Sequence, residues 1–439
     1  MGWKNKPEVD YREIGTIPKW IMVFMSGAGS SLIFTPLYLK NTFYDNLAEG
    51  LGANNTELGL MVTLFSIMAA ILYLPSGIVG DRVRMRTLYS VGMFLSAAVT
   101  FWYATMPPIG VVFAIFIIMG ITTILIWWGS RYKMLRMCWP EEDYPAKIGW
   151  SYTFYGLAGM VIGFVNTGIV ASVADDPVRG IQLVLIVSGF VLLALGILAL
   201  FVIPNFKNEL QPGSKLDLSG LVKAIKNPVI LVGSLAMFFC WFTYEGFMYT
   251  TPYMTSENIY AAPLAVSSTV SIIRNYGIGL FAAAIAGGIA KKITTSKTII
   301  IFSIIAAVGT VFFFFIPRDP SLVIFVAALI LITVFFAYGA YSITSATLTE
   351  AHIPTEIFAT AMGVYCLIGF LPDVFQPTWF GIILDQQGDA AYTMLFAILI
   401  VSSVLAVVLL ILFRKLVKKQ QLKAEAEQPA AVEAEASEQ

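Results

Sequence analysis

The stretch GIVGDRVRMRTL, residues 77–88, places one acid and three arginines between two long apolar runs. The runs on either side, 57–76 and 87–106, each have about the 20 residues that a helix needs to cross the hydrocarbon core of a bilayer. A short basic turn between two such runs is typical of a loop between transmembrane helices. This stretch therefore predicts a membrane protein.

The composition of the whole chain extends that prediction. Hydrophobic residues make up 58% of the 439 and charged residues only 12%, whereas soluble domains carry roughly a quarter charged residues. The mean hydropathy is +0.80. Unpaired backbone groups are not tolerated in lipid, and the runs are too long and too uniformly apolar for barrel strands, so we predict an all-α membrane protein. It should have twelve transmembrane helices, at 18–40, 57–76, 87–106, 109–132, 147–172, 180–203, 228–253, 264–290, 298–317, 320–348, 356–384 and 391–413.

The basic residues predict the orientation of these helices. If both termini are cytoplasmic, the cytoplasmic segments contain 23 of the 27 lysines and arginines, as the positive-inside rule requires. Lys40, Arg179 and Arg318 then lie at the outer rim of the membrane. Only Arg274 remains, in the middle of the eighth run.

The chain also divides in two. Its longest cytoplasmic connector, 205–227, mixes Pro, Gly, Ser and Lys, as a linker between domains does. We therefore predict a six-helix bundle over 1–204 and a second over 228–418. The Ala- and Glu-rich end, 419–439, is predicted to be a disordered acidic tail.

The loop that opened this section resembles the signature loop of the major facilitator superfamily, roughly G-x-x-x-D-R-x-G-R-R, through Gly77, Asp81, Arg82 and Arg86. It departs from that pattern at Arg84, which stands where the family has Gly, and at Met85. The resemblance implies a monomeric secondary transporter in which these four residues gate the cytoplasmic side. The alternative is a solvated basic loop that serves topology alone.

Arg274 predicts a functional site, because a mid-membrane arginine costs about 2.5 to 3.5 kcal/mol unless it meets a partner or a watery cavity. Glu245 and Asp373 lie at similar depth in neighbouring runs. A permanent bridge from Arg274 to Glu245 would satisfy both charges structurally. The alternative is an arriving anion, since the guanidinium fork suits carboxylate, phosphate or sulfonate. Glu245 and Asp373 would then couple transport to protons.

Helical spacing places further polar side chains on inward faces. The predicted substrate-binding set is Arg274, Glu245, Tyr249, Tyr152, Tyr155, Tyr338, Tyr341 and Lys133. For Lys133 and its neighbour Arg131, at the end of the fourth run, the alternative is an interfacial anchor beside Trp127 and Trp128.

The sequence lacks a phosphate-binding Gly-rich loop. It contains one histidine and three scattered cysteines. We therefore expect no metal, no cofactor, no nucleic-acid partner and no enzymatic activity. We predict a cell-membrane carrier, in the inner membrane if bacterial, that moves a small anionic solute by alternating access. The solute would be an organic acid, a sugar phosphate or a sulfonate, with proton coupling as a further hypothesis. The alternative functions are a transporter-like receptor of a small ligand and, less well supported, a polytopic enzyme.

Overall fold

The computed structural model describes residues 8–210, 225–353 and 355–437. We call the residues up to 210 the first half and those from 225 the second half. The first half contains eight α-helices: α1 (Thr16–Phe34), α2 (Tyr44–Leu51), α3 (Asn55–Arg82), α4 (Met85–Ala104), α5 (Ile109–Gly120), α6 (Gly129–Cys138), α7 (Tyr144–Ser172) and α8 (Pro177–Val202). A π-helical segment, Ile121–Trp128, joins α5 to α6. Short 3-10 turns lie at Tyr11–Glu13, Leu39–Asn41 and Glu141–Asp143.

The second half contains ten described α-helices: α9 (Pro228–Gly246), α10 (Thr250–Thr255), α11 (Leu264–Ile272), α12 (Ile278–Ile293), α13 (Thr295–Phe312), α14 (Val323–Ser342), α15 (Thr347–Glu350), α16 (Thr355–Gly369), α17 (Gln376–Gln387) and α18 (Ala391–Ser437). A second π-helical segment, Ile273–Gly277, joins α11 to α12. The 3-10 turns of this half are Phe247–Tyr249, Pro320–Leu322, Thr344–Ala346, Leu371–Val374 and Gly388–Ala390.

Eleven stretches of helix in the described residues are long and apolar enough to cross a membrane. The count of twelve and the side of the termini stay predictions. The eleventh predicted run is divided by the 3-10 turn Leu371–Val374, where Pro372 removes a backbone donor. The last helix continues to Ser437 through the predicted disordered tail, because Ala, Glu, Gln and Lys all favour helix.

Most helix packing lies within one half. In the first half α1 packs on α7 and α4 on α8, and in the second half α18 packs on both α9 and α13. The halves meet where α3 crosses α17 and where α7 crosses α11. Small residues make the first crossing close: a Cβ on Gly59 would overlap the carbonyl of Pro377, and one on Gly381 would overlap the carbonyl of Asn55.

One end of the molecule holds the arginines of the loop 77–88, which are Arg82, Arg84 and Arg86. At this end, which we call the basic end, strand β1 (Glu8–Val9) pairs in parallel with β2 (Asn205–Phe206). Arg84 pairs with Glu8 at 2.6 Å beside this sheet. The start of α3 and the end of α17 lie at the other end, which we call the opposite end.

Candidate functional site

The guanidinium of Arg274 is clamped between the two halves. Its side chain lies in the π-helical segment Ile273–Gly277 and is only 1% exposed. Its described acceptors are all neutral: Phe247 O at 3.0 Å, Thr250 Oγ1 at 2.7 Å, Thr251 Oγ1 at 3.1 Å, Ser271 Oγ at 3.5 Å, Asn275 Oδ1 at 3.2 Å and Asn41 O at 2.8 Å. Because Asn41 belongs to the first half, this arginine ties the halves together toward the opposite end.

The alternative of a permanent bridge from Arg274 to Glu245 is wrong. In the described part of the chain these two side chains form no ion pair. The side-chain amide of Asn275 accepts from Nε, and backbone carbonyls accept from both terminal nitrogens. The guanidinium therefore has no need of a carboxylate. Its role as a substrate ligand stays a prediction.

Lys40 is the largest correction to the sequence analysis, which placed it at the outer rim. Helix α1 ends at Phe34, because a proline disfavours helix in the residue before it and Pro36 follows closely. The chain then folds inward, and the side chain of Lys40 is only 5% exposed. Its Nζ lies 4.7 Å from the ring centre of Tyr249 and 3.4 Å from the hydroxyl of that residue. Pro36 was the signal in the sequence that could have predicted this early end of the helix.

Lys40 faces both predicted coupling acids. It interacts electrostatically with Glu245 and with Asp373, and Glu245 also interacts with Arg274. The carboxylate of Asp373 accepts a hydrogen bond of 2.6 Å from the indole of Trp241. We call Lys40, Glu245, Asp373 and Arg274 the central charge cluster. Three of its members were predicted, and Lys40 was missed.

Three predicted tyrosines of the second half lie around this cluster. Tyr249 donates to the carbonyl of Pro377 at 2.6 Å. Tyr341 packs on Trp241 with ring centres 4.5 Å apart, and the ring centre of Tyr338 lies 5.9 Å from that of Tyr341. The predicted inward face of α14 therefore reaches the aromatic wall that also holds Asp373.

The two predicted tyrosines of α7 lie farther toward the basic end. Tyr155 packs against Tyr276 of the second half at 5.7 Å between ring centres. Tyr152 is 51% exposed, and its ring lies beside the guanidinium of Arg131. Their places on one face of α7 agree with the helical spacing from which they were predicted.

A family comparison decides what kind of protein carries this site. The profile of the Major Facilitator Superfamily matches residues 20–377. The chain belongs to this superfamily. It is therefore a membrane transporter rather than an enzyme.

Relatives agree with that assignment. The Escherichia coli K12 inner membrane protein YqcE is 26% identical over 81% of this chain and 85% of its own length. The inner membrane protein YihN of the same strain is 22% identical over 94% of this chain and 100% of its own length. The superfamily match, these relatives and the eleven candidate spans make this chain a multi-pass inner membrane protein.

Solved structures show the same fold. The nucleoside transporter NupG superposes with a TM-score of 0.65 at 15% identity, covering 91% of this chain and 98% of that one. A bacterial homologue of the human lysosomal transporter Spinster, in an inward-facing and occupied conformation, superposes with a TM-score of 0.67 at 14% identity. The match covers 93% of this chain and 99% of that one.

The signature loop of this superfamily member lies at the basic end, where Lys133 meets it. Lys133 donates to the carbonyl of Gly80 at 2.6 Å and interacts electrostatically with Asp81. Lys133 thus contacts the signature loop, and its role as a substrate ligand stays a prediction. Gly77 faces open space and Arg82 is exposed.

The sequence analysis missed the acid that anchors this loop. Glu209, in the predicted linker, is 3% exposed. Its carboxylate accepts from the backbone N–H of Met85 at the start of α4 and lies 3.7 Å from Arg84. Arg86 is buried nearby and interacts electrostatically with the same carboxylate. An acid at a helix N-terminus is stabilising, but the spacing of some 120 residues concealed the pairing.

Asp385 ties the halves of this transporter together at the opposite end. Its carboxylate receives four hydrogen bonds from the first turn of α3: from Asn55 N at 3.0 Å, Asn55 Nδ2 at 2.8 Å, Thr56 N at 2.8 Å and Thr56 Oγ1 at 2.5 Å. Free backbone donors and the helix dipole both favour an anion there. Deeper in the same crossing, Thr378 donates to Thr63 at 2.9 Å.

We expect Asp385→Ala to open this end. Loss of an exposed carboxylate at a helix N-terminus should favour the open form by about 1 kcal/mol, or roughly fivefold. Alkylation of a cysteine at Thr63, which is buried in the crossing, should then be roughly fivefold faster. Asp389→Ala is the matched control, because the described hydrogen bonds of Asp389 come from Ser256 and Asn258 of its own half. Equal alkylation rates in both variants would contradict the role of Asp385.

Proposed function

We propose that this transporter carries a small organic anion by alternating access of its halves, coupled to protons. The observation that supports it best is the ammonium of Lys40, which is buried between the halves. Among the described residues it makes one hydrogen bond, a long one of 3.4 Å to the hydroxyl of Tyr249. A buried charge with unfilled donors is costly, so a ligand of opposite charge gains affinity there.

Proton coupling would use the carboxylates that face Lys40. While Glu245 is ionised, it competes with a substrate anion for the same ammonium. Protonation of Glu245 would release Lys40 to the substrate, so proton and anion would bind together. Asp373 is the second candidate, because it also interacts with Lys40.

Alternating access is supported by where the halves touch. The hydrogen bonds of Arg274 to Asn41, of Asp385 to Asn55 and of Thr378 to Thr63 all lie toward the opposite end. We propose that the basic end is cytoplasmic, as the positive-inside rule predicts. The structure would then be closed to the outside, and transport would require those contacts to break in turn.

Uptake into proteoliposomes tests the proposal. Radiolabelled succinate, gluconate, glucose 6-phosphate and methanesulfonate would be offered with an inward proton gradient, beside neutral mannitol and uridine. We expect at least one anion to accumulate above the level of protein-free liposomes, and a protonophore to abolish the accumulation. Lys40→Gln should lower that uptake at least about tenfold, because a charged hydrogen bond is lost.

The matched control is Lys297→Gln, since Lys297 is exposed near the basic end. Accumulation of only the neutral solutes would contradict an anionic substrate. Binding of an anion without any transport would instead favour the alternative of a transporter-like receptor.

A further inference from the structure

Arg131 differs from Arg274 in how its guanidinium is used. Both arginines are buried, Arg274 inside a π-helical segment and Arg131 just after one. Arg131 is 3% exposed. The nitrogens of Arg274 donate hydrogen bonds to neutral acceptors. By contrast, Nε and Nη2 of Arg131 are buried without a hydrogen-bond acceptor among the described residues. Segments of π-helix inside α-helices frequently occur at functional sites.

These two nitrogens form one edge of the guanidinium. Nε–H and one N–H of Nη2 point the same way, and together they match the two oxygens of a carboxylate, phosphate or sulfonate. A lysine cannot present such an edge, because its ammonium is a point charge. The unfilled pair is thus a donor arrangement specific for an oxyanion.

Three aromatic rings hold the guanidinium in place. The carbon Cζ of Arg131 lies 5.2 Å from the ring centre of Trp128, 4.6 Å from that of Tyr132 and 5.6 Å from that of Tyr152. Cation–π contacts of this kind stabilise the charge by about 0.5 to 2 kcal/mol each, but they supply no hydrogen-bond acceptor. The hydroxyls of Tyr132 and Tyr152 lie 3.3 Å apart beside it.

A tyrosine links Arg131 with the central charge cluster. Tyr73, which packs on Trp128 at 5.7 Å between ring centres, interacts electrostatically with both Arg131 and Asp373. On the other side, Tyr152 is half exposed, and an exposed side chain changes rotamer within nanoseconds. Movement of this ring would uncover the free edge to a solute that enters from the basic end.

From this geometry we infer that Arg131 is the oxyanion-binding residue of the carrier, and that its Nε–Nη2 edge receives the carboxylate, phosphate or sulfonate of the substrate. This inference rests on the proposed transport of an organic anion. It replaces Arg274 as the substrate-binding arginine. Lys40 then compensates the remaining charge of the substrate or of Glu245.

Binding to the purified full-length protein tests the inference. Isothermal titration would measure the dissociation constants of succinate, gluconate, glucose 6-phosphate and methanesulfonate. For the anion that binds best to the wild type, we expect Arg131→Lys to weaken binding about tenfold and Arg131→Gln about a hundredfold. Arg136→Gln, an exposed position on the same helix α6, should stay within twofold of the wild type.

Folding is monitored by size-exclusion profile and by the thermal unfolding midpoint without ligand. If Arg131→Gln fails to fold, Arg131→Lys decides, since it keeps the charge and the aromatic contacts. Wild-type affinity in Arg131→Lys and in every folded variant at this position would overturn the inference and leave the proposed function standing. A wild type that neither binds nor accumulates any of the four anions would overturn both.

A lipid headgroup carries the same oxyanion chemistry. The titrations are therefore repeated in nanodiscs of phosphatidylcholine, with and without phosphatidylglycerol. We expect the same dissociation constant in both. The opposite result would be a fivefold weaker affinity of the wild type in nanodiscs with phosphatidylglycerol, with no such weakening in Arg131→Lys. That result would assign the Nε–Nη2 edge to lipid headgroups and overturn its role in substrate binding.

Discussion

Arg274→Ala should lower the initial rate of uptake roughly tenfold to a hundredfold and leave the affinity for the substrate within about threefold. Among the described residues, the hydrogen bond to Asn41 is the one that crosses from this guanidinium to the first half. A hydrogen bond to a charged group contributes about 1.5 to 3 kcal/mol, which corresponds to a tenfold to hundredfold shift toward opening at the opposite end. A carrier held in one state turns over slowly even if it still binds.

The distance between spin labels at Glu49 and Glu257 would measure that shift, because both positions are exposed at the opposite end on different halves. The population of long distances should rise in Arg274→Ala. Arg318→Ala is the control, since Arg318 is exposed at the same end. Unchanged distances together with a lost affinity would show instead that Arg274 binds the substrate, as the sequence analysis predicted.

Glu245→Gln should abolish proton-driven accumulation. An amide cannot exchange a proton, so the substrate would only equilibrate across the membrane, and an accumulation of tenfold or more would fall to about one. Exchange of internal for external substrate, which needs no net proton movement, should persist. Steady-state accumulation under an imposed pH gradient and counterflow measure the two properties in the same vesicles.

Asp373→Asn separates the two acids. An asparagine oxygen can still accept from Trp241, so this variant should retain the local structure. If Glu245→Gln keeps full accumulation and Asp373→Asn loses it, Asp373 is the coupling residue. If both variants accumulate like the exposed control Glu257→Gln, coupling through the central charge cluster is wrong.

Much of the architecture could be read from local sequence. The apolar runs predicted the helices, because hydropathy and length decide which segments cross lipid. The break at Leu371–Val374 coincides with Pro372, which is visible in the sequence. The first helix was predicted to reach residue 40 but ends at Phe34. Apolar residues continue beyond Phe34, and only Pro36 indicates the turn.

The sequence by itself determined that this is a helical membrane protein of a transporter superfamily and that Arg274, Glu245 and Asp373 lie inside it. Depth and helical face follow from position along a run. The tertiary structure decided which partners these charges meet. It brought Lys40 to the acids, Asn41 to Arg274 and Asp385 to Asn55. These partners are hundreds of residues apart, so only the packing of the folded chain determines which buried donor finds an acceptor. In the described part of the chain, the Nε–Nη2 edge of Arg131 finds none.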